Sequence, residues 1–412
     1  MYFFDIIEAR DKDMKMKIER LDDFGRGVTF LDGKICFVIG ALPGEIADAE
    51  VIRETKKFYE AKVIKLLEKS PARRESHCPY YGICGGCQLD HTMFSLENEF
   101  KENKVKNLVR KFSHIDSFKV TNIVSSSPYE YRNKITLHGK NRKLGLYQNG
   151  TFEIVSAAEC LLIPDRIREI IKLLEKVNQE ITEAVIKTSN DLDEVLVKIT
   201  GEVSEYQNLL SMVDVLIINN KVVSLKDKIK THIGDKYFYH GADSFFQVNR
   251  TLTKELYDEA LKIVSKIRPK TVLDLYCGTG TIGIYLSDYC DKIIGIDYNR
   301  SNISNAFLNK KLNHVENIDF ICDKVENRIH EFQNIDLIVV DPPRSGLDQK
   351  TKKYLELICP QTIIYISCDP VTLVRDLNDL NDCFDVQFIK PVNMFPRTYH
   401  VECVCLLSKR IN

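Results

Sequence analysis

Residues 272–286 read VLDLYCGTGTIGIYL, and this stretch decides the fold of the C-terminal part of the 412-residue chain. An apolar run typical of a buried strand reaches Asp274, and three glycines, Gly278, Gly280 and Gly283, open a helical segment. Glycines let a backbone turn tightly and approach a ligand closely. The spacing is typical of crevices for dinucleotides and for S-adenosylmethionine, so it predicts a nucleotide-like cofactor and leaves its identity open.

The same texture continues along the chain from about residue 241. Apolar strand-like runs alternate with helical or loop segments, which predicts an α/β fold with a doubly wound, Rossmann-like parallel sheet over 241–412. These runs are TVLDLY, KIIGID, IDFIC, IDLIVVD and TIIYISC. The final runs, DVQFIK and HVECVCLLSK, are joined by only PVNMFPRTY. Because that connection is too short for a helical crossover, they predict an antiparallel pair at the edge of the sheet.

Reactive side chains follow the strands of this sheet. Asp297 ends KIIGID, Asp341 precedes a rigid Pro-Pro pair, and Cys368 follows IIYIS. Because carboxyl ends of parallel strands share one edge, these groups are expected at the same rim. A cysteine after a buried strand is more often packing than a nucleophile, but this location favours the nucleophile. Glu402 lies among apolar neighbours in HVECVC, so it either faces solvent or is a base held near the chemistry.

The preceding residues predict two further domains. Residues 1–69 contain β-rich runs over 12–66, separated by FGRG, LDGK and LPGE, and suit a five-stranded barrel of the oligonucleotide-binding type. Residues 70–240 predict a central α+β domain that opens on a linker, SPARRES. Helical spacing is expected over 93–113 and in DRIREIIKLLEKVNQE, and strands in KITLHG, LGLYQNG, FEIVSA, EVLVKIT and DVLIINN.

Composition bounds the class of protein. The chain is 44% apolar and 28% charged, and its longest apolar runs fall short of a membrane span, so a soluble protein is expected. The start, MYFFDIIEARDKDMKMK, does not resemble a secretory signal, which predicts a cytoplasmic protein with its 13 cysteines mostly reduced. The net charge is −1, but residues 101–143 hold eleven Lys or Arg against three Asp or Glu. This stretch predicts either a surface for phosphates or an ordinary solvated helix face.

A second motif, CPYYGICGGC, spans residues 78–87. Zinc prefers paired C-x-x-C knuckles, and a redox C-x-x-C needs no third cysteine. An iron-sulfur cluster requires four thiolates, and Cys160 in SAAECLLIP is the best-placed fourth. From the residues alone, a cluster, a zinc site, a redox pair and unrelated cysteines all stay open.

Five segments together resemble the RNA uracil-5-methyltransferases, which use S-adenosylmethionine to make 5-methyluridine in transfer or ribosomal RNA. They are FFQVN (245–249), DLYCGTGTIG (274–283), DPPRSGL (341–347), SCDP (367–370) and HVECVCLL (400–407). ERLDDFGRGV and FVIGALPGE are similar to the TRAM module that precedes the catalytic part in many members. The resemblance runs from about residue 12 to the C-terminus and favours S-adenosylmethionine over a dinucleotide.

The resemblance also implies roles for individual residues. Cys368 matches the nucleophile that adds to carbon 6 of uracil, and Glu402 matches the base that removes the proton from carbon 5. The implied cofactor-binding residues are Gln247, Tyr276, Gly278, Gly280, Asp297 and Asp341, the last also a candidate for the uracil edge. The implied ligands of a 4Fe-4S cluster are Cys78, Cys84, Cys87 and Cys160.

The implied partner is RNA with an unpaired or flipped-out uridine, and the barrel and the basic stretch are expected to contact it. The first expectation is 23S ribosomal RNA, with transfer RNA open; neither a membrane nor an obligate protein partner is expected. Two other functions remain in view. A non-catalytic RNA-binding or RNA-folding protein would not need Cys368 and Glu402, and a methyltransferase of exocyclic amines would need D-P-P but no thiolate.

Overall fold

The structure, a computed structural model, describes residues 14–115, 118–203 and 205–410. The segment on which the absence of a secretory signal was predicted lies largely outside the described residues. The described chain divides into two compact units. The first consists of residues 14–104, 148–151 and 397–399, and the second of the other described residues. The three domains predicted from sequence, with boundaries at 69/70 and 240/241, stay a prediction.

The first unit begins with a six-stranded sheet in which the strands pair in the order β1-β5-β6-β4-β3-β2. Its strands are β1 (Met14–Lys17), β2 (Arg20–Leu21), β3 (Gly27–Leu31), β4 (Lys34–Ile39), β5 (Ile46–Glu54) and β6 (Phe58–Glu68). The end strands β1 and β2 are only two residues apart in the chain, so the sheet must curl into a barrel. The barrel prediction is confirmed.

The barrel has six strands where five were expected, because the run KMKIERL is divided at Ile18. The Ile18 N–H donates to the carbonyl of Glu45 at 2.9 Å, so the chain leaves β1 there and β2 forms separately. Ile18 itself is 1% exposed and packs with Met16, Cys36 and Val38 in the barrel core. One apolar run therefore contributes two strands to the same core.

A helix predicted over 93–113 is observed as α1 (Phe94–Phe112). Glu97 lies in its first turn and Arg110 and Lys111 in its last, which complements the helix dipole. The boundary between the two units falls within this helix, after Lys104.

The second unit contains a seven-stranded sheet with the order β13-β12-β11-β10-β7-β8-β9. Its elements are β7 (Lys134–Lys140), β8 (Lys143–Tyr147), β9 (Ile154–Val155), α2 (Asp165–Val177), β10 (Asn178–Thr188), β11 (Val195–Val203), α3 (Gln207–Leu210), β12 (Val215–Ile218) and β13 (Lys221–Val222). The strand β10 was not predicted. It follows α2 with no intervening turn, and the sequence pattern was extended as helix to Glu180.

A hairpin and a second seven-stranded sheet complete this unit. Their strands are β14 (Ile229–Ile233), β15 (Lys236–His240), β16 (Thr271–Leu275), β17 (Lys292–Asp297), β18 (Ile318–Cys322), β19 (Leu337–Val340), β20 (Thr362–Ser367), β21 (Phe384–Val392) and β22 (Glu402–Lys409). Their α-helices are α4 (Thr253–Ile267), α5 (Thr281–Leu286), α6 (Arg300–Leu312), α7 (Val325–Arg328), α8 (Gln349–Ile358) and α9 (Pro370–Leu380).

The strand order of this sheet is β18-β17-β16-β19-β20-β22-β21. The strands from β18 to β20 are parallel, whereas β22 pairs antiparallel with both β20 and β21. The doubly wound sheet and its antiparallel edge pair are thus confirmed. The order reverses between β16 and β19, and such a switch point opens a crevice at the carboxyl ends of the strands.

Hydrophobic cores cover both faces of this sheet. Successive residues Val272 and Leu273 of β16 belong to different core clusters, as do Ile293 and Ile294 of β17. This alternation is the period of two expected for a strand buried on both faces. Among the described residues, none of the helices combines the length and apolar character needed to cross a membrane.

Candidate active site

The glycine turn after β16 uses left-handed backbone at three positions. The φ angles are 63° at Tyr276, 56° at Gly278 and 77° at Gly280. A Cβ at Gly280 would lie 2.6 Å from the ring of Phe320, whereas one at Gly278 would meet none of the described atoms within 4 Å. Packing therefore requires glycine at 280, and the backbone at Gly278 is accessible to a ligand.

Asp297 ends β17 and orders this turn. Its Oδ2 accepts the N–H of Gly278 at 3.1 Å, and its Oδ1 accepts the N–H of Asn299 at 2.8 Å. The side-chain amide of Asn302 also donates to Oδ1, at 3.3 Å. Since each carboxylate oxygen offers about two acceptor positions, Oδ2 retains one for a ribose hydroxyl. The predicted ribose contact is compatible with this geometry and stays a prediction.

The two other predicted cofactor contacts lie in different surroundings. The Tyr276 hydroxyl is 3.5 Å from the side-chain oxygens of both Asp348 and Thr351, which is long for a hydrogen bond. Gln247 is 5% exposed, and its backbone carbonyl accepts the side-chain amide of Asn133 at 2.9 Å. Their contacts with a cofactor remain predictions.

Cys368 and Glu402 come together at the rim of the sheet. Ser367 at the end of β20 lies opposite Cys403 near the start of β22. Cys368 directly follows Ser367 and Glu402 directly precedes Cys403, so both residues lie at this end of the pair, where the charge of Glu402 acts on the Cys368 thiol. The acid reaches the rim because β22 runs against the parallel strands and begins where they end.

Glu402 is a buried carboxyl group with an unsatisfied oxygen. It is 2% exposed, and no hydrogen-bond partner for its Oε2 is found in the described part of the chain. Burial, and after it the charge of Asp341, raise the pKa of Glu402 to about 8 against the opposing effect of the Arg344 guanidinium. Burial also raises the pKa of Asp341 to about 7. The pKa values of two neighbouring acids are thus raised, as at many catalytic sites.

Cys368 is partly buried beside these acids. Burial raises the pKa of its thiol to about 11, with the charges of Glu402 and Asp341 acting in the same direction and Arg344 lowering it. A thiolate is the nucleophilic form of cysteine. Among the charges that act on this thiol, the Arg344 guanidinium is therefore the one that favours its reactive form.

Sequence reasoning did not assign three groups at this rim. Arg344 stood within the quoted DPPRSGL motif, three residues after Asp341. Asp274 is 1% exposed, its Oδ2 accepts the N–H of Gly283 at 3.0 Å, and burial raises its pKa to about 7 against that hydrogen bond. The hydroxyl of Tyr257, from α4, lies 3.0 Å from the Thr281 hydroxyl. The charged residue inside a quoted motif was a usable signal for Arg344, whereas Tyr257 had none.

The basic stretch 101–143 is only partly available to RNA. Lys101 is fully buried with its Nζ 2.9 Å from Glu97, and Lys104 is 9% exposed and donates to two backbone carbonyls. The prediction of an exposed basic surface is wrong for these two lysines, because α1 buries the face that carries them. The exposed cations of the stretch are Arg110, Lys111, Lys119, Lys140, Arg142 and Lys143.

The cysteine loop, residues 78–87, belongs to the first unit. Its backbone turns through hydrogen bonds from Ile83 N–H and Cys84 N–H to the Tyr80 carbonyl, at 3.1 and 2.8 Å. The Gly86 N–H donates to the sulfur of Cys84 at 3.3 Å. All three cysteines of the loop are partly exposed. A partly exposed sulfur that accepts a backbone N–H group, as Cys84 does, is chemically suited to iron-sulfur ligation.

Cys160 belongs to the second unit and is also partly exposed. Across residues 14–115, 118–203 and 205–410, no group of three or more His, Cys, Asp or Glu side chains is arranged to hold a metal ion. The 4Fe-4S cluster and its four ligands stay a prediction.

The fold and the rim define a class of protein. A doubly wound sheet with a glycine turn and an acid that ends the second strand is typical of domains that bind a nucleotide-like cofactor, a class that includes S-adenosylmethionine-dependent methyltransferases. Comparison with known proteins gives the same class. Residues 212–410 match the family model described as tRNA (Uracil-5-)-methyltransferase, and residues 12–64 match the TRAM domain.

Whole-chain relatives establish the family. An uncharacterized RNA methyltransferase of Clostridium acetobutylicum is 32% identical, covering 97% of this chain and 98% of the relative. One from Aquifex aeolicus is 33% identical and covers 97% and 99%. The crystal structure of Pyrococcus abyssi tRNA (uracil-54, C5)-methyltransferase, in complex with S-adenosyl-L-homocysteine, matches 96% of this chain and all of that chain, with 26% identity and a TM-score of 0.78. The chain belongs to the RNA uracil-5-methyltransferase family, whose members use S-adenosylmethionine.

Proposed function

We propose that this protein transfers a methyl group from S-adenosylmethionine to carbon 5 of a uridine in 23S ribosomal RNA, through a covalent bond between Cys368 and carbon 6. The observation that carries the proposal is that a partly buried thiol directly follows β20 while a buried carboxyl group begins β22 at the same rim of the sheet. A buried, unsatisfied Glu402 has no structural benefit that would offset its cost, so a catalytic role accounts for it.

The proposed chemistry begins with the Cys368 thiolate. Its sulfur bonds to carbon 6, and the electrons of the carbon 5–carbon 6 double bond move toward oxygen 4 to give an enolate. When bound, S-adenosylmethionine would supply an electrophilic methyl group. Carbon 5 would form a bond to that methyl group as the sulfur–methyl bond breaks, with S-adenosylhomocysteine as the leaving group. The positive charge of Arg344 favours the thiolate before attack, and the same charge would stabilise the enolate.

Glu402 completes the proposed cycle as the general base. Its carboxylate removes the proton from carbon 5, those electrons restore the double bond, and the Cys368 thiolate leaves. A pKa raised to about 8 gives a base stronger than an ordinary carboxylate that is still substantially ionised in mildly alkaline solution. The rate of adduct resolution should therefore increase with pH through this range.

The cofactor would occupy the crevice at the switch point. We assign its binding to the six residues predicted from sequence. Gly278 and Gly280 would bring the backbone close, Asp297 would accept from a ribose hydroxyl, and Asp341 would face the cofactor or the uracil edge. Gln247 and Tyr276 would line the crevice. A cytoplasmic location for this reaction stays a prediction.

Transfer RNA is the second candidate substrate. It is favoured by the likeness to the Pyrococcus abyssi enzyme, which acts on uracil 54 of transfer RNA, over nearly the whole of both chains. Mapping 5-methyluridine in ribosomal and transfer RNA from a strain that lacks this protein would decide between them. Loss of the nucleoside from transfer RNA alone would overturn the ribosomal assignment and leave the chemistry intact.

The covalent step is tested with RNA that contains 5-fluorouridine, because fluorine at carbon 5 cannot be removed as a proton. Incubation with cofactor should trap a protein-RNA adduct that survives denaturation. Cys368→Ala should form none, and Cys322→Ala is the matched control, since Cys322 is an exposed cysteine at the end of β18 in the same sheet. Absence of an adduct with the wild-type protein and any cellular RNA pool would exclude the thiolate mechanism, and would favour a non-catalytic RNA-binding protein or an amine methyltransferase.

We also propose that Cys78, Cys84 and Cys87 hold a 4Fe-4S cluster, with Cys160 as the fourth thiolate. Three thiols on one short loop and the N–H bond to the Cys84 sulfur support the assignment. No step of methyl transfer requires the cluster, which would stabilise the loop. Anaerobically purified Cys160→Ser should lack both iron and the absorbance at about 400 nm that gives a cluster its brown colour. Cys322→Ser should retain both. Full iron content in Cys160→Ser would place the fourth ligand elsewhere.

A further inference from the structure

Asp376 in α9 is a fully buried carboxylate with donors on both of its oxygens. Its Oδ2 accepts the N–H of Leu347 and the hydroxyl of Tyr365, each at 2.8 Å. Its Oδ1 accepts from Arg375 Nε at 2.9 Å and lies 3.3 Å from Lys352 Nζ. Four separate segments therefore meet at one side chain that has no place in the proposed chemistry.

The Leu347 bond ties this carboxylate to the loop that follows Asp341. Arg375 extends the attachment, because its Nη2 donates to the Ser345 carbonyl at 2.7 Å. Between these two bonds Gly346 has a φ of 74°, and a Cβ there would overlap the Asp376 carboxylate and the Arg375 guanidinium. The loop backbone thus rests directly on the ion pair between Asp376 and Arg375.

The start of the same loop is held differently. The Asp341 N–H donates toward the Leu275 carbonyl of β16 at 3.4 Å, and Asp341 directly follows β19. Arg344 lies between this fixed start and the anchored segment 345–347. Its side chain is exposed, so the backbone on either side is what limits its position.

We propose that Asp376 is a positioning residue that holds the end of the 341–347 loop so that Arg344 stays beside Cys368. The inference rests on the proposed function, in which Cys368 is the nucleophile. Without the anchor, the loop end would move and Arg344 would act less on the thiol, whereas Asp341 would stay in place.

Different charged groups act on Cys368 and on Asp376. Glu402 from β22 and the loop residues Asp341 and Arg344 act on Cys368. Lys352 from α8 and Arg375 from α9 act on Asp376, and Asp379 shares Lys352 at 2.5 Å. Loss of the Arg344 contribution alone leaves Cys368 facing two carboxyl groups, so its thiolate fraction should fall.

The test measures the rate at which iodoacetamide alkylates Cys368 in the full-length protein, followed by mass spectrometry of the peptide that contains it. Asp376→Asn should lower this rate at pH 8 by about threefold to tenfold and move its pH midpoint upward, as expected for a change of about half to one pKa unit. The matched control is Glu259→Gln, a 7%-exposed carboxylate paired with Lys390 and Lys262 in the same unit. It should leave the rate unchanged.

A double-mutant cycle with Arg344→Gln separates positioning from a general loss of structure. If Asp376 acts through Arg344, Asp376→Asn has no further effect on the alkylation rate in the Arg344→Gln background. An equal decrease in both backgrounds, or no decrease in either, would overturn the proposal.

Arg375→Met provides the same comparison if Asp376→Asn does not fold, because the Arg375 side chain is 48% exposed and its loss removes only the Ser345 tether and one ion pair. Arg375→Met should lower the alkylation rate by less than Asp376→Asn does, and should not lower it in the Arg344→Gln background. Alkylation needs neither RNA nor cofactor. Failure of this cycle while 5-fluorouridine RNA still traps Cys368 would therefore reject the positioning role alone.

Discussion

The molecule contains two sets of buried carboxyl groups, which differ in whether they form ion pairs. In the first unit, Glu45, Asp90 and Glu97 are 0–2% exposed, and each lies close to a cation. Arg73 lies 2.7 Å from Glu45 and Lys101 lies 2.9 Å from Glu97, while Arg397 lies 3.2 Å from Asp90. These acids and cations compensate each other's burial.

Glu402 and Asp274 at the catalytic rim are equally inaccessible, but neither forms an ion pair with a cation within the described part of the chain. Glu402 and Asp274 each carry one oxygen without a hydrogen bond from the residues that the structure describes, and burial raises the pKa of both. Burial alone therefore does not distinguish a catalytic acid from a structural one. A carboxyl oxygen without a hydrogen bond does, because burying such an acid costs stability, and a catalytic role accounts for that cost.

The largest effect on activity is expected from removing the negative charge of Glu402 at the catalytic rim. Glu402→Gln should still methylate the bound RNA once, but should resolve the adduct at least about 100-fold more slowly, the usual contribution of a general base. RNA should remain attached through Cys368, as seen on a denaturing gel, while thermal stability is kept or increased because an uncompensated acid is removed. Multiple turnovers at the wild-type rate would exclude Glu402 as the base.

Glu97→Gln, in the first unit, should instead lower the free energy of unfolding. Lys101 would lose its countercharge at a fully buried site, where burial already lowers its pKa to about 8 against the effect of Glu97. Breaking a buried ion pair costs about 3 kcal/mol or more in the free energy of unfolding. The chain contains no Trp, so urea denaturation is followed by circular dichroism. The double variant Glu97→Gln/Lys101→Met should recover most of the loss; equal stability of wild type and Glu97→Gln would contradict the pairing.

The two sets should respond to pH with opposite signs. Glu402 has a pKa raised from 4.5 to about 8, so the folded state binds an extra proton in that window and stability falls as pH rises through it. For Glu45, burial is outweighed by hydrogen bonds from Arg73 and Leu42, which lower its pKa from 4.5. Its contribution is present above pH 4.5 and is lost as pH falls below it.

Urea midpoints between pH 4 and about pH 8.5 test these signs. Glu402→Gln should gain on wild type as pH rises, and the deficit of Glu45→Gln should shrink in acid. Parallel curves for all three proteins would show that neither acid differs between the folded and unfolded states.

The smallest effect is expected at the surface. Lys140 and Glu153 lie 2.9 Å apart, but their side chains are 49% and 65% exposed. Water screens such a pair, so Glu153→Gln should leave both the urea midpoint and the rate of adduct formation unchanged. A measurable loss of stability would mean that proximity, rather than burial of the pair, decides which ion pairs stabilise this chain.

Local sequence determined much of this outcome. Strands were predicted from short apolar runs, and a pattern of this kind depends only on residues close together in the chain. The strands form as expected in VLDLYCGTGTIGIYL, in the runs that end in Asp297 and Asp341, and in IIYISC. Because parallel strands end at one edge, their terminal residues were predictable as a common rim. The barrel, α1 and the antiparallel edge pair followed from patterns of the same local kind.

Tertiary structure alone decided the features that depend on distant pairing. The pairing of β20 with β22 brings Glu402 to the rim that holds Cys368. The Tyr257 hydroxyl of α4 reaches Thr281 at the start of α5, and Asp376 accepts the N–H of Leu347 at the end of the 341–347 loop. Packing also buried Lys101 and Lys104, which the sequence presented only as part of a charge run. Sequence periodicity predicts which face of its own strand or helix a residue lies on. Whether a buried charged group has a partner depends on which distant segments pack against that face.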